Sequence, residues 1–149
     1  MKLDNILDGE IKKAMLAKDR TRLDVLRAIK KEFIEAKTAK NASGEISESI
    51  ETSILQRMVK QRKESAEIFI TQNREDLAKD ELAQLAILQE YLPEQLSPEA
   101  LVEQISAIIT SVGASSMKDM GKVMGLATKQ LAGKAEGKAI SDTVKRLLS

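Results

Sequence analysis

Two short segments near the C-terminus combine glycine with lysine in the same order. The first is GKVMG at residues 121–125, and the second is GKAEG at residues 133–137, twelve residues later and followed by Lys138. Glycine has no side chain, so a ligand can come close to its backbone, and lysine attracts an anion. Together they suit binding of a phosphate oxygen, a contact that does not depend on base sequence. The candidate binding residues are Gly121, Lys122, Gly125, Gly133, Lys134, Gly137 and Lys138.

The same glycines also have explanations that need no ligand. Gly121 and Gly125 lie one turn apart on a helix, where each costs about 1 kcal/mol relative to alanine, and close packing of a second helix would compensate. Gly133 and Gly137 would serve a tight turn in the same way. A phosphate-binding loop is excluded because Val123 stands where its hydroxyl side chain belongs, and a membrane-dimer motif because the segment is not apolar. Packing, turn geometry and phosphate contact all stay open.

The composition leaves little material for catalysis. The 149 residues include neither Cys nor His, which removes thiol nucleophiles, the commonest general base at neutral pH and the commonest zinc ligands. The aromatic residues are Phe33, Phe69 and Tyr91, too few for a platform on which single-stranded bases stack. We therefore expect no metal, no cofactor and no catalytic activity of its own.

Charge is segregated along the chain, although the formal net charge is only +1. Residues 41–117 carry six Lys and Arg against thirteen Asp and Glu, whereas residues 118–149 carry seven against three. Basic residues of the second and third helices predict a second basic surface, and the alternative is ordinary ion pairing with glutamates, worth about 0–1 kcal/mol a pair. The residues of this second basic surface are Arg20, Arg27, Lys30, Lys31, Lys60, Arg62 and Lys63.

Apolar residues recur at helical spacing along almost the whole chain, which predicts an all-α fold. A first helix breaks near residues 17–20, a second follows it, and residues 38–45 have the composition of a loop. A third helix is expected from about Ser47 to Gln72, packed against the second as a hairpin. These elements form an N-terminal helical hairpin or bundle.

Four further helices are expected after residue 72, and the last three of them position the glycine–lysine segments. Asn73 and Asp76 have the spacing of a capping box for a fourth helix, which Pro93 ends. A three-helix tail follows. Its first helix is expected to begin at Ser97 and Pro98 and to stop at Gly113, because serine caps and proline opens a helix whereas glycine closes one. Its second helix is expected to open with a capping box of Ser116 and Asp119, and a last short helix follows residue 137. The predicted domains are residues 1–92 and 98–149, joined by a linker of residues 93–97.

The sequence predicts a cytoplasmic protein without a membrane partner. No apolar run approaches the roughly 20 residues that span a bilayer. The N-terminal residues MKLDNILDGE mix acidic with apolar residues, unlike a secretory signal peptide.

Four segments resemble a known family over nearly the whole chain. VKQRKESAEIF, ILQEYLPEQLSPE, VGASSMKDMGKVMG and GKAEGKAIS resemble the YqeY-like family of small bacterial proteins. The tail resembles the C-terminal domain of the GatB component of the glutamine-dependent aspartyl/glutamyl-tRNA amidotransferase, a domain that contacts tRNA. The seven candidate residues match that tail by motif, whereas the amidase and ATP-binding machinery of the enzyme has no counterpart here. The resemblance therefore implies tRNA association without stand-alone amidotransfer.

Three hypotheses for function follow. The first is a non-catalytic protein that binds tRNA through the glycine–lysine segments. The second is a helical adaptor that docks on an aminoacyl-tRNA amidotransferase or a synthetase through residues 20–63. The third is an accessory in carbon–nitrogen ligation with glutamine as the amide donor, against which the missing Cys, His and ATP motif argue.

Overall fold

The computed structural model of the chain describes residues 2–40 and 43–149. Within these ranges all regular structure is helical, so the predicted all-α class is confirmed. Two positions of the predicted loop at residues 38–45, Asn41 and Ala42, lie outside the described residues. The helices are α1 (Leu3–Leu16), α2 (Arg20–Thr38), α3 (Glu48–Thr71), α4 (Glu75–Tyr91), α5 (Pro98–Val112), α6 (Met120–Gln130) and α7 (Gly137–Leu148), with a 3₁₀ turn at Met117–Asp119 before α6.

The fold divides into two compact units, one ending at Pro93 and the other comprising Glu94–Ser149. The N-terminal unit contains α1 to α4 and has its own apolar core, in which Leu26, Ile29 and Phe33 of α2 are almost fully buried. The prediction that α3 pairs with α2 is wrong, because α3 packs chiefly against α4. The two are joined by only three residues, and the buried Ala66 and Ala78 let them approach closely near that turn.

Most of the predicted helix ends are confirmed. Ser47 caps α3 by accepting a hydrogen bond from the Ile50 N–H (3.3 Å), and Ser97 caps α5 by accepting one from Ala100 (3.1 Å). Gly113 closes α5 in the left-handed conformation (φ 67°), where a residue without a Cβ is favoured.

The capping box predicted at Asn73 and Asp76 is wrong. Asn73 instead closes α3 in the left-handed conformation (φ 60°), and Arg74 occupies the N-cap of α4 without a side-chain capping bond. Asp76 accepts two hydrogen bonds from the Arg74 guanidinium (3.2 and 3.1 Å). This pairing lowers the pKa of Asp76 and raises that of Arg74. Asparagine tolerates the left-handed region, so it serves the end of one helix as readily as the start of the next.

A buried carboxylate from α3 caps α1. Glu51 is only 3% exposed, and its two oxygens accept hydrogen bonds from the backbone N–H groups of Leu3 and Asp4, each at 3.1 Å. The Asp4 carboxylate in turn lies 2.6 Å from Nζ of Lys37. A negative charge at a helix N-terminus is favourable, and here it also satisfies two amides that the helix itself cannot pair.

The C-terminal unit has a separate core where α5, α6 and α7 meet. Ile105, Val123, Ala127 and Val144 in this core are fully buried. The segment before α5 is bonded to the connection between α6 and α7, since the Leu96 N–H donates to the Lys134 carbonyl (2.8 Å) and Gln95 Nε2 donates to the Gly133 carbonyl (2.7 Å).

Within the described ranges, no single helix has both the length and the apolarity to cross a bilayer. The segments Pro98–Val112 and Met117–Gln130 meet those criteria only as a pair, bent by 93°.

Candidate nucleic-acid interface

The two glycines of α6 lie on an open helix face. Gly121 and Gly125 are both exposed, and a methyl group added at either position would meet nothing within 4 Å. The core contacts of α6 come from Val123 and Ala127, which the helical spacing places on the opposite side. The helix-packing explanation of these glycines is therefore wrong: no neighbouring helix approaches them within the described structure.

Lysines border this bare strip of backbone. Lys118, Lys122 and Lys129 follow the same helical spacing as the two glycines and are exposed. None of the three forms an ion pair with any residue in ranges 2–40 and 43–149. We refer to Lys118, Gly121, Lys122, Gly125 and Lys129 as the α6 face. It combines accessible backbone with lysines that form no ion pair in the described part of the chain.

The second glycine–lysine segment forms the connection into α7. Gly133 adopts the left-handed conformation (φ 79°), so the turn explanation is confirmed for it. Gly137 has no positive φ, and as the first exposed residue of α7 it would also accommodate a methyl group without contact. Lys134 and Lys138 are exposed and form no ion pair within the part of the chain that the structure describes.

The start of α6 differs from the predicted capping box. Ser116 caps the 3₁₀ turn by accepting a long hydrogen bond from the Lys118 N–H (3.4 Å). The Asp119 carboxylate accepts from the Ser115 N–H (2.9 Å) and makes no capping bond to α6. Because of the 3₁₀ turn, the two hydrogen bonds of Ser116 and Asp119 are each made to a backbone N–H one residue earlier than a capping box would have. The first backbone N–H groups of α6 therefore have no side-chain cap. The same turn packs against α7, so both glycine–lysine segments belong to one three-helix unit.

The second basic surface is divided among different helices. Lys30 pairs with Asp8 of α1 (2.7 Å), Arg62 pairs with Glu81 of α4 (3.1 Å), and Lys31 lies 3.9 Å from Glu35 on its own helix. The partner on α1 results from the packing of α1 on α2, and the partner on α4 results from the packing of α3 on α4, neither of which the sequence predicts. The other members are Arg20, Arg27, Lys60 and Lys63, of which Arg20 and Arg27 line a cavity at the α1–α2 turn.

Arg22 is a structural centre that sequence reasoning missed. Its Nη1 lies 2.6 Å from the Glu90 carboxylate and donates to the Tyr91 hydroxyl (3.1 Å), while its Nε donates to Asp19 (3.3 Å). The hydrogen bonds to Glu90 and Tyr91 raise the pKa of Arg22 above its ordinary value. These contacts tie the end of α4 to the start of α2. No local sequence pattern predicts these contacts, since nearly 70 residues separate Arg22 from Tyr91.

No group of three or more His, Cys, Asp or Glu residues within the described ranges is arranged to hold a metal ion. Lysines outnumber the two carboxylates near the α6 face and the α7 start, those of Asp119 and Glu136, so the arrangement suits binding of an anion.

Comparison with known proteins identifies relatives along the whole of this fold. A family model described as "Yqey-like protein" matches residues 4–148. Altered inheritance of mitochondria protein 41, mitochondrial, from Pyrenophora tritici-repentis is 35% identical over 133 residues, covering 87% of this chain and 71% of that relative. The protein of the same name from Kluyveromyces lactis is 28% identical over 139 residues, covering 93% of this chain and 72% of that relative.

A third relative of that name, from Vanderwaltozyma polyspora, is 32% identical over 124 residues, covering 76% of this chain and 64% of that relative. The relatives are named as mitochondrial proteins, which contradicts the predicted cytoplasmic location. That prediction rested on the lack of a bilayer-length apolar run and on N-terminal composition, and neither feature distinguishes the cytoplasm from the interior of a mitochondrion.

Proposed function

Because the chain belongs to the YqeY-like family, we propose that it is a tRNA-associated accessory protein without catalysis of its own, whose C-terminal unit contacts sugar-phosphate. The observation that carries the proposal is the α6 face. Its two glycines leave backbone open to solvent with room for an approaching group, and its lysines have no partner in the described structure. The resemblance of the tail to the tRNA-contacting GatB domain of the amidotransferase supports the choice of RNA.

The physical basis of such contact is electrostatic. Exposed lysines gain most from a partner that carries closely spaced negative charges, and each neutralised phosphate of a single strand makes the logarithm of affinity fall by about 0.7 per decade of salt. Backbone at Gly121 and Gly125 allows phosphate or ribose to lie against the helix, which a larger side chain would prevent. Such contacts position an RNA and carry no sequence information.

The test is tRNA binding by the full chain at two salt concentrations. We expect affinity to fall as salt rises, and to fall further when Lys122→Gln and Lys134→Gln are combined. Lys145→Gln is the matched control, because Lys145 is an exposed cation of the same unit, on the last turn of α7. Binding that is absent, or that ignores both salt and the double substitution, refutes the proposal.

A second test blocks the α6 face sterically and leaves its charge unchanged. Gly125→Leu would place a bulky side chain on the α6 face without a clash in the folded chain, since the position is open. We expect weaker tRNA binding with the helical content unchanged. Unchanged affinity in this variant would remove the α6 face from the interface.

A second candidate function, a protein adaptor, is favoured by exposed apolar side chains in the N-terminal unit. Ile34 and Ile50 are 48% and 45% exposed, and both fall within residues 20–63. A partner protein that covers both side chains would remove this apolar surface from water. The test is binding of the purified chain to a purified aminoacyl-tRNA amidotransferase or synthetase after nuclease treatment, and Ile34→Ser with Ile50→Ser should abolish it. Binding that nuclease removes would instead return the interaction to RNA.

A further inference from the structure

A cavity of about 350 Å³ lies where α1 ends and α2 begins. Its walls include Met15 from α1, Lys18 from the turn, and Arg20, Leu23, Asp24 and Arg27 from α2. The volume is within the range of small-molecule sites. All of these residues belong to the N-terminal unit, whereas the tRNA contacts proposed above use residues of the C-terminal unit.

Three cations line this cavity without being neutralised. Lys18, Arg20 and Arg27 form no ion pair with any residue of the described ranges. Asp24 follows Arg20 by four residues and precedes Arg27 by three, a spacing that permits pairing, yet neither guanidinium comes within ion-pair distance of it. An anion entering the cavity would therefore meet free cationic groups.

The other carboxylate at the cavity, that of Asp19, is already occupied. Its Oδ1 accepts from the Arg22 backbone N–H (3.2 Å) and its Oδ2 from Arg22 Nε (3.3 Å). Asp19 thus caps α2 and offsets Arg22, which itself points its Nη1 to Glu90 and Tyr91. The three lining cations therefore outnumber the two lining carboxylates, and of these two Asp19 already accepts hydrogen bonds from Arg22.

Lys18 occupies a backbone position that disfavours it. Three helices end in the same way: the amide after the left-handed residue donates to a carbonyl five residues earlier, at Asp19 to Ala14 (3.0 Å), at Arg74 to Phe69 (2.7 Å) and at Ala114 to Ile109 (3.1 Å). The left-handed residues are Lys18 (φ 56°), Asn73 (φ 60°) and Gly113 (φ 67°). Glycine and asparagine suit this position, whereas lysine does not. What lysine adds is a charge at the cavity rim.

We propose that this cavity binds a phosphate ester the size of a nucleoside monophosphate. The phosphate would accept hydrogen bonds from Lys18, Arg20 and Arg27, since charge-assisted bonds of this kind are strong and guanidinium groups suit phosphate geometry. The uncharged body of the ligand would lie against Met15 and Leu23. Asp24, which has no cationic partner in the described structure, would accept a hydrogen bond from a sugar hydroxyl.

The experiment is a titration of the full chain with adenosine 5′-monophosphate, followed by chemical-shift changes and calorimetry. We expect binding by adenosine 5′-monophosphate and none by adenosine at the same concentrations. Arg27→Gln and Arg20→Gln should each weaken it about tenfold, which corresponds to the loss of one charge-assisted bond. Lys12→Gln, an exposed cation of α1 outside the cavity, is the control and should bind as the parent chain does.

A third ligand separates the two sources of phosphate. A dinucleoside monophosphate carries only an internal diester, so its binding would identify an RNA backbone as the ligand, whereas its failure beside successful monophosphate binding would identify a free or terminal phosphate. Equal binding of adenosine and its monophosphate, or arginine variants that bind as the parent chain does, overturns the proposal.

Lys18→Gly distinguishes a ligand role from a structural one. Glycine fits the left-handed turn better, so this variant should unfold at a higher temperature than the parent chain. If Lys18 contacts the phosphate, the same variant binds adenosine 5′-monophosphate several-fold more weakly. A variant that is more stable and binds as before removes Lys18 from the site.

Discussion

Among the described residues, the cations that form ion pairs lie in the N-terminal unit, whereas those of the C-terminal unit are unpaired. In the N-terminal unit, cations join helices to one another, as Lys37 does with Asp4, Arg57 with Glu32 and Arg22 with Glu90. In residues 118–149, none of the seven Lys and Arg residues forms an ion pair with a described residue. Paired charges contribute to the fold, whereas unpaired ones stay available to an anion. Substitutions of the paired cations should therefore affect stability, whereas substitutions of the unpaired cations should affect binding.

The largest effect is expected at Glu51. Glu51→Ala leaves the Leu3 and Asp4 amides without their buried acceptor, and we expect a loss of about 2–3 kcal/mol in the free energy of unfolding. Urea denaturation measures it. Glu48→Ala is the control, since Glu48 is exposed in the same first turn of α3 and should cost well under half as much. Equal losses in the two variants would mean that the buried cap contributes nothing specific.

Arg22 should give the next largest loss. Arg22→Gln removes the contacts to Glu90 and Asp19, but the side chain is 29% exposed, so solvent screening limits the effect to about 1–2 kcal/mol. Thermal and urea unfolding should agree on this value. Lys60→Gln removes an exposed cation of the same unit that has no ion pair in the described ranges, and should change stability by less than about 0.5 kcal/mol. A larger loss there would blur the contrast between paired and unpaired cations.

The glycines of the α6 face should show the opposite sign. Gly121→Ala and Gly125→Ala each meet open space, and alanine is the better helix former, so each should raise the unfolding free energy by about 0.5–1 kcal/mol. Gly133→Ala should lower it by a similar amount, because φ is 79° there. Calorimetric melting of the three variants checks both signs. Destabilisation by either α6 alanine would show that some neighbour packs against these glycines after all.

Removing the unpaired lysines should hardly affect the fold. The triple variant Lys122→Gln, Lys134→Gln and Lys138→Gln should keep its free energy of unfolding within about 0.5 kcal/mol of the parent chain, because no ion pair in the described structure is lost. Urea denaturation at low salt measures this most sensitively. A loss comparable to that of Arg22→Gln would assign these lysines to the fold and contradict a binding role.

The smallest effect concerns an exposed pair. The Arg74 guanidinium lowers the pKa of Asp76, so the carboxylate favours the folded state above its unfolded-state pKa, and this contribution disappears as pH falls through the lowered folded-state value. In Arg74→Gln, the pKa of Asp76 should return towards its ordinary value when followed by carboxyl chemical shifts. The parent chain should lose this contribution only in acid, and an unchanged pKa in the variant would assign the shift to other groups.

Much of the helical layout could be predicted because it depends on neighbours in sequence. Ser47 and Gln72 flank α3 as expected, and Ser97 and Gly113 flank α5, since each acts on amides or carbonyls within a few residues. The capping box predicted at Asn73 is wrong because asparagine occurs both at the C-terminal and at the N-terminal end of helices. The family resemblance was confirmed by the match over residues 4–148. The seven glycine–lysine residues remain a predicted site.

The sequence by itself therefore determined the all-α class through its helical spacing, most helix ends through their capping residues, and the family through its motifs. Tertiary structure alone decided that α3 pairs with α4, that Glu51 caps a helix 47 and 48 residues away, and that Arg22 holds the end of α4. It also decided that Gly121 and Gly125 face solvent. A helical pattern shows which residues share a face, but the direction of that face depends on how the other helices pack.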